Sequence, residues 1–554
     1  RKPQVHGAAL FAAMRALLIC HAVAVLVAGS KSEGGDAVCA AGGACDTART
    51  PEPSGSPHFW PTARGQQGSY SSSHHAAPFN LTPAFSWRWF HPDGQYHTMS
   101  LGCVIDSRRN IYLSGNDGIT KHNPDGKLLW NFARPGLTIP TVACLSDGAL
   151  FGSAHQGKVF SLDLETGEEL WSTKVANEIA GDTGFVTTHD GIVIAGADSK
   201  ARERNEQVVA LGAADGRRVW NFTPDAPVWN FMALYPGDGT VVFQDLEGRA
   251  YRLELHSGRL LWKAGGLPGT WSDGTLMLGP NSAVYTVSSN GSMEVCGNMV
   301  TKSWVCSGRV AAYRLRDGSE IWHRDFPRPA NSFLAVGRVA GASGLTVVAP
   351  IGQQAGFPGF VFLKVLFLPL AVGFGLPCAA LFAAAKGLSK RCKAKHRRQI
   401  VGSALCGFLG GVLLILAPAI LRIGMHRPTY EGALYALDAE TGETRWQYEL
   451  PAWREWHTAG DPEGYSIRQK LGTRALCIPN PFSAPTVGPD GGVYVGYQDG
   501  HIYSVADLNN DGHIDNDTEV STYATGTAFS SPGAAFAPGM LAIANCDGLF
   551  VFKS

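Results

Sequence analysis

The residues best suited to chemistry in this chain stand near its C-terminal end, in "DLNNDGHIDND". Asp507, Asn509, Asp511, Gly512 and Asp515 set oxygen donors at alternate positions, with glycine at the sharp bend. Hard oxygen ligands at this spacing suit a seven-coordinate calcium ion, to which His513 would add its backbone carbonyl. Thr518 stands where a bidentate glutamate is expected, and Glu519 follows one residue later. No nucleophile or general base adjoins the loop, so the expectation is a structural ion. The alternative is a solvated acidic turn.

The cysteines are the second set. Of twelve, Cys20 falls in an apolar N-terminal segment, and Cys378, Cys392 and Cys406 fall in an apolar insert. The other eight are Cys39, Cys45, Cys103, Cys144, Cys296, Cys306, Cys477 and Cys546. An even number behind a secretion-like leader predicts disulfides in an oxidising compartment. Cys39–Cys45 and Cys296–Cys306 are the nearest local pairs. None has the Cys-x-x-Cys spacing of a zinc site. Asn-x-Ser/Thr sequons at Asn80, Asn221, Asn290 and Asn516 agree with lumenal or extracellular exposure and predict a glycoprotein.

The elements that must position these residues come from a repeat. Six segments carry Gly four residues before Trp, ending at Trp130, Trp171, Trp220, Trp262, Trp322 and Trp446. Thr, Asp or Ser always precedes the Gly. An alternating apolar strand leads into each turn, and Gly accepts the positive φ that the turn needs. A second hairpin signal precedes each copy, so one unit is about four short antiparallel strands. Such units cannot bury both faces alone and must stack around an axis, which predicts a β-propeller. A seventh unit lacks the Gly–Trp ending. An eighth lacks its last strand, which the isolated "FSWRWF" (Phe85 to Phe90) would supply, closing the ring. The expectation is an all-β, eight-bladed propeller, with seven blades as the alternative count.

Two further segments set the context. Residues 1–29 read as a signal peptide with Met14 as start, and residues 30–84, rich in Gly, Ser, Ala and Pro, read as a flexible linker. The propeller then occupies 85–356 and 428–554. Residues 357–427 interrupt it with two apolar runs, Val365 to Ala385 and Gln399 to Leu421. Each is long enough to span a bilayer. The loop between them, 386–398, holds seven Lys/Arg and no acid, which predicts a transmembrane hairpin with a cytoplasmic loop. The hairpin lies between the second and third strands of blade six. The same loop is long in blades three and five, so one elaborated face is expected to look toward the membrane. The zero formal net charge gives no nucleic-acid signature.

Ala436, Asp438, Thr441, Gly442 and Trp446 resemble the tryptophan-docking motif of PQQ-like, quinoprotein-type propellers. The resemblance extends from Phe85 to Ser554 outside the insert. It implies the propeller but not one activity, since relatives include quinoprotein dehydrogenases, assembly scaffolds and lumenal domains. The dehydrogenases often carry adjacent cysteines and a catalytic Asp. This chain has no Cys-Cys pair, and its nearest Asp segment, "TWSDG" (Thr270 to Gly274), reads as a structural turn. No catalytic residue is therefore assigned. The acidic loop resembles EF-hand and dockerin calcium loops, and more closely the short calcium hairpins of integrin-type propellers. The favoured function is a membrane-tethered binding or assembly module for a protein or glycan. The alternative is a membrane-bound PQQ-dependent dehydrogenase of alcohols or sugars.

Overall fold

Each Gly–Trp repeat folds into the outer half of a blade, and its side chains explain why. At Asp438–Gly442 the Asp438 carboxylate accepts the amides of Glu440 and Thr441 at 2.8 and 2.9 Å. Gly442 then turns the chain at φ 74°, and the next strand carries a β-bulge opposite Ala436 and Leu437. The same bulge beside a left-handed glycine occurs at Gly126, Gly167, Gly216, Gly258 and Gly318. This hairpin geometry favours glycine, because any Cβ would be strained at positive φ.

A computed structural model describes residues 56–554, apart from 69, 180–183, 198–204, 231, 292–305, 357–379, 381–427 and 478–479. It contains eight blades. Seven are four-stranded sheets, and the fourth has three strands plus an isolated bridge, Leu234 to Val242, where its innermost strand would run. The last blade is closed by Phe85–Phe90, which pairs antiparallel with Gly548–Lys553. The eight-blade count and its closure by the N-terminal strand are as the repeat predicts.

In every blade the first strand lies innermost and the fourth outermost. The joining loops and the turns between second and third strands therefore emerge on one face, here the upper face. The turns between third and fourth strands emerge on the lower face. Residues 357–427 leave and re-enter on the upper face, where Gly352 pairs with Gly432 and the Gln353 amide bonds to the Glu431 carbonyl. The predicted transmembrane hairpin falls outside the described residues. Among the described residues no helix is long and apolar enough to cross a membrane.

The reading of 30–84 as a flexible linker is corrected for its second half. Residues 56–73 bind the innermost strands around the axis. Trp60 exchanges two backbone hydrogen bonds with Ile105 of blade one, and the Leu145 amide of blade two bonds to the Pro61 carbonyl. The Gln67 amide reaches Thr188 of blade three at 3.3 Å, and the Tyr70 hydroxyl accepts the Tyr235 amide of blade four at 3.2 Å. Arg64 donates to the Leu334 carbonyl of blade six, and Ser71 and Ser73 flank Val487 of blade seven. The contacts to Ile105, Leu145, Thr188 and Val487 fall at the lower ends of the strands, and Arg64 reaches up the axis to Leu334, so the segment closes the axis from below. Its low aliphatic content hid this role: a plug is held by backbone bonds and a few large side chains, not by a periodic apolar face. Trp60, Arg64 and Tyr70 are all at most 2 % exposed.

Candidate functional site

The upper end of the axis opens into a cavity of ≈ 580 Å³. Its walls come from the upper-face loops of blades one to four and from the segment joining blades six and seven. Asn116 is fixed by its side-chain amide on the Ile139 carbonyl at 2.8 Å, while its oxygen accepts the Arg474 amide at 3.4 Å. His155 donates Nδ1–H to the Ile179 carbonyl at 2.7 Å, since a carbonyl can only accept. Gln156 bridges Thr138 and Gly136 through its side-chain amide. Trp229 and Arg474 complete an aromatic and a cationic wall, and Glu178 is the one carboxylate among the described lining residues. The surface is rich in hydrogen-bonding groups held by neighbouring loops, which suits recognition of a polar ligand or a peptide.

Arg474 is positioned by a helix and a disulfide. Helix α1 (Leu81–Ala84) sits on the lower face; α2 (Asp461–Leu471) lies on the upper one and ends at Gly472, φ 73°. Arg468 of α2 is fully buried, 3.5 Å from Asp461 and 3.7 Å from Asp547 of blade eight. Burial pushes the Asp461 carboxyl up to about 7 despite Arg468 and the Cys477 amide, and it raises Asp547 as well. Cys477 forms a disulfide with Cys546, next to Asp547. The chain from 472 to 477 is thus pinned at both ends. Sequence reasoning missed this pair, because the two cysteines lie 69 residues apart and only the packed blades bring the segment joining blades six and seven against blade eight.

The other cysteines divide. Cys306 is disulfide-bonded. Cys39, Cys45 and Cys296 lie outside the described residues. The even count misled for Cys103 and Cys144, which are free thiols buried in inner strands of blades one and two. Burial pushes the Cys103 thiol up to about 12 and raises Cys144 further, so both act as small apolar side chains.

The predicted calcium loop lies on the lower face, between the third and fourth strands of blade seven. Asp507 is buried, and its carboxylate accepts the amides of Gly512 at 2.9 Å and Asp511 at 3.2 Å. Asn509 and Asp511 are exposed and hydrogen-bond to each other, and His513 is exposed. Asp515 accepts the amides of Asp517 and Thr518, which hold its carboxyl below the usual range. Glu519 is buried and accepts the amides of Leu508, Asn509 and Asp515, tying both ends of the loop. Ile514 packs into the cluster that holds Trp446 of blade six. The loop therefore stands where blades one to six use a Gly turn.

The four sequon asparagines, Asn80, Asn221, Asn290 and Asn516, are exposed. Asp273 of "TWSDG" accepts Asn331 Nδ2 at 3.2 Å, and its amide donates to Asn331 Oδ1 at 2.6 Å, as in a structural turn.

Comparison with known proteins agrees with this architecture. The profile of the family described as outer membrane protein assembly factor BamB matches residues 115–265 and 184–355. The chain is 24% identical over 220 residues to outer membrane protein assembly factor BamB of Nitrosomonas eutropha, covering 39% of this chain and 49% of that protein. It is 26% identical over 234 residues to tetrathionate hydrolase of Acidithiobacillus ferrooxidans, covering 39% of this chain and 42% of that protein. The chain thus spans about half the length of the curated relatives it matches or less. Quinohemoprotein alcohol dehydrogenase ADHIIG from Pseudomonas putida HK5 superposes with a TM-score of 0.50 at 10% identity, covering 90% of this chain and 80% of that one. At that identity the likeness concerns the fold alone.

Proposed function

We propose that this chain, an eight-bladed propeller of PQQ-like repeats, is a membrane-tethered binding or assembly module that receives a protein or glycan partner on its upper face. The observation that carries this reading is the asymmetry of the axis. Residues 56–73 fill the lower end, and a polar cavity of ≈ 580 Å³ occupies the upper end. The insert 357–427 departs from that same upper face. Its two apolar runs and basic loop would hold the face toward a bilayer, with the propeller lumenal or extracellular and residues 386–398 cytoplasmic.

Two experiments test it. Glycan mapping of the expressed chain should find sugar on Asn221 and Asn290; a chain free of glycan at all four sequons in a glycosylating host argues against the topology. A photo-crosslinking residue placed at Trp229 should capture one partner repeatedly, and the same probe at Leu170 on the outer rim should not. Equal capture at both positions overturns the upper face as the docking surface.

A second reading, the PQQ-dependent dehydrogenase, is supported by Trp229, Arg474 and Glu178 sharing one axial cavity. The described lining offers a single carboxylate, so a quinone-bound calcium would need further oxygen ligands. Reduction of an artificial acceptor by alcohols or sugars after loading with PQQ and calcium would favour this reading. Failure to bind PQQ would remove it.

A further inference from the structure

We propose that His91, Asp93 and His97 form a binding site for a divalent first-row transition-metal ion at the seam between blades eight and one, with Asp117 orienting His91. The site lies on the upper face, in the loop that leads from the closing strand of blade eight into the first strand of blade one.

The segment is "HPDGQYH". The Gly94 amide bonds to the His91 carbonyl at 3.0 Å, and the His97 amide bonds to the Gly94 carbonyl at 3.0 Å. Two successive turns, with Gly94 at φ 136°, fold the loop so that residues 91, 93 and 97 face one another. Their ligand atoms lie within 4.8 Å of one another, and no other group of three His, Cys, Asp or Glu among the described residues is gathered this closely.

The protonation of His91 follows from its neighbours. Its Nε2 is 3.1 Å from Asp117 Oδ2, in the turn between the second and third strands of blade one. An ionised carboxylate only accepts, so Nε2 carries the hydrogen and Nδ1 keeps its lone pair. A histidine that donates one ring nitrogen to a carboxylate and offers the other to a metal is the usual arrangement behind a bound ion. His91 Nδ1 and His97 Nε2 each lie 3.9 Å from Asp93 Oδ2. Bonds of roughly 2.0–2.2 Å place tetrahedral ligand atoms about 3.4 Å apart, so closure needs a shift of about half an ångström.

Two adjustments accompany binding. The His91 Nδ1 lone pair accepts the Asp93 amide at 3.1 Å, and the ion replaces that hydrogen bond. The two imidazoles are stacked, 4.2 Å apart and 9° from parallel. Parallel rings cannot both aim in-plane lone pairs at one ion, so His97 turns about its Cβ–Cγ bond. His97 and Asp93 are exposed enough for this, at 30% and 71% of side-chain surface. His91, at 15%, is backed by Trp89 and stays fixed.

Two imidazoles and one carboxylate select zinc, cobalt, nickel or copper over calcium or magnesium. Three protein ligands leave a coordination position open, and a cavity of ≈ 290 Å³ lined by Trp89, Thr98, Ser100, Thr120 and Asn131 adjoins the group. That position is left to water or a small anionic ligand.

The test uses the full chain without a polyhistidine tag. Zinc titration by calorimetry should give one saturable site, and cobalt should give the visible absorption of a low-coordinate ion. His97→Ala should weaken zinc by at least tenfold with an unchanged metal-free melting temperature. Asp117→Asn should weaken it by about 10–100-fold, as loss of an orienting carboxylate does. Absence of saturable zinc binding overturns the proposal. So does unchanged affinity in His97→Ala, or loss in His75→Ala alone, which would assign the ion to the adjacent His74 and His75.

Discussion

Trp322 donates its indole N–H to the carbonyl of Ala439 at 3.0 Å, across 117 residues of chain that include the whole insert. The ring also covers Gly442, where a Cβ would come within 2.6 Å of it. Blade five is thereby bolted to blade six. The bolt recurs around the ring: Trp87 bonds to Pro124, Trp130 to Leu164, Trp171 to Ala213, Trp220 to Leu255 and Trp262 to Leu315. Each tryptophan lies against the turn glycine of the next blade, Gly126, Gly167, Gly216, Gly258 and Gly318 in order. The repeat is thus an interface device between blades as much as a turn within one.

Trp322→Ala removes a large buried ring and an interblade hydrogen bond, and should cost about 3–5 kcal/mol. Gly442→Ala meets both the ring and a positive φ, and should cost more than about 1 kcal/mol. Denaturant unfolding of the two variants checks this; a Gly442→Ala protein as stable as the parent would show that the ring is not seated on the turn.

The Cys477–Cys546 bond should hold the Arg474 wall of the upper cavity. Replacing both cysteines with alanine is expected to cost about 2–4 kcal/mol. It should also speed tryptic cleavage after Arg474. Unchanged cleavage would mean that α2 alone fixes the segment.

Asp461 gives a pH dependence whose sign follows from its burial. Its carboxyl is raised to about 7 when folded, so the folded protein binds more protons than the unfolded chain from about pH 4 to 7. Stability should therefore fall as pH rises through that window and level off above it. One such group contributes at most about 1.4 kcal/mol per pH unit. Asp461→Asn should flatten the slope measured by urea unfolding at pH 5, 6, 7 and 8. The raised Asp547 adds to the dependence in the same direction and leaves a residue of it in the variant.

The loop of blade seven yields two separable effects. Asp511 is exposed, so Asp511→Ala should leave the calcium-free melting temperature nearly unchanged and abolish any increase produced by calcium. Asp507 is buried and binds two amides, so Asp507→Ala should lower stability with or without the ion. No effect of millimolar calcium on the parent protein would leave the loop as a self-bonded turn.

Trp60→Ala tests the axial plug. Trp60 is 2% exposed and packs 5.9 Å from the ring of Phe536 in blade eight, so the loss should be about 3–5 kcal/mol. A change below about 1 kcal/mol in equilibrium unfolding would show the plug to be dispensable.

What the sequence determined by itself is local and periodic. Strand alternation, the turn glycine at positive φ and the Gly–Trp spacing each act within about a dozen residues, so the blades, their number and the closing strand Phe85–Phe90 were legible. The acidic loop and the entry point of the insert were legible for the same reason. Tertiary structure decided what depends on closing the ring. Only the stacking of blades around the axis brings Cys477 to Cys546, Arg468 between Asp461 and Asp547, and residues 56–73 against the inner ends of several blades. The folding of blade one sets His91 beside Asp117, with His97 stacked on His91. No one-dimensional repeat marks such groups, because their partners stand in different loops whose distances are set by the folded ring. The geometry of the circle, not local propensity, makes them neighbours.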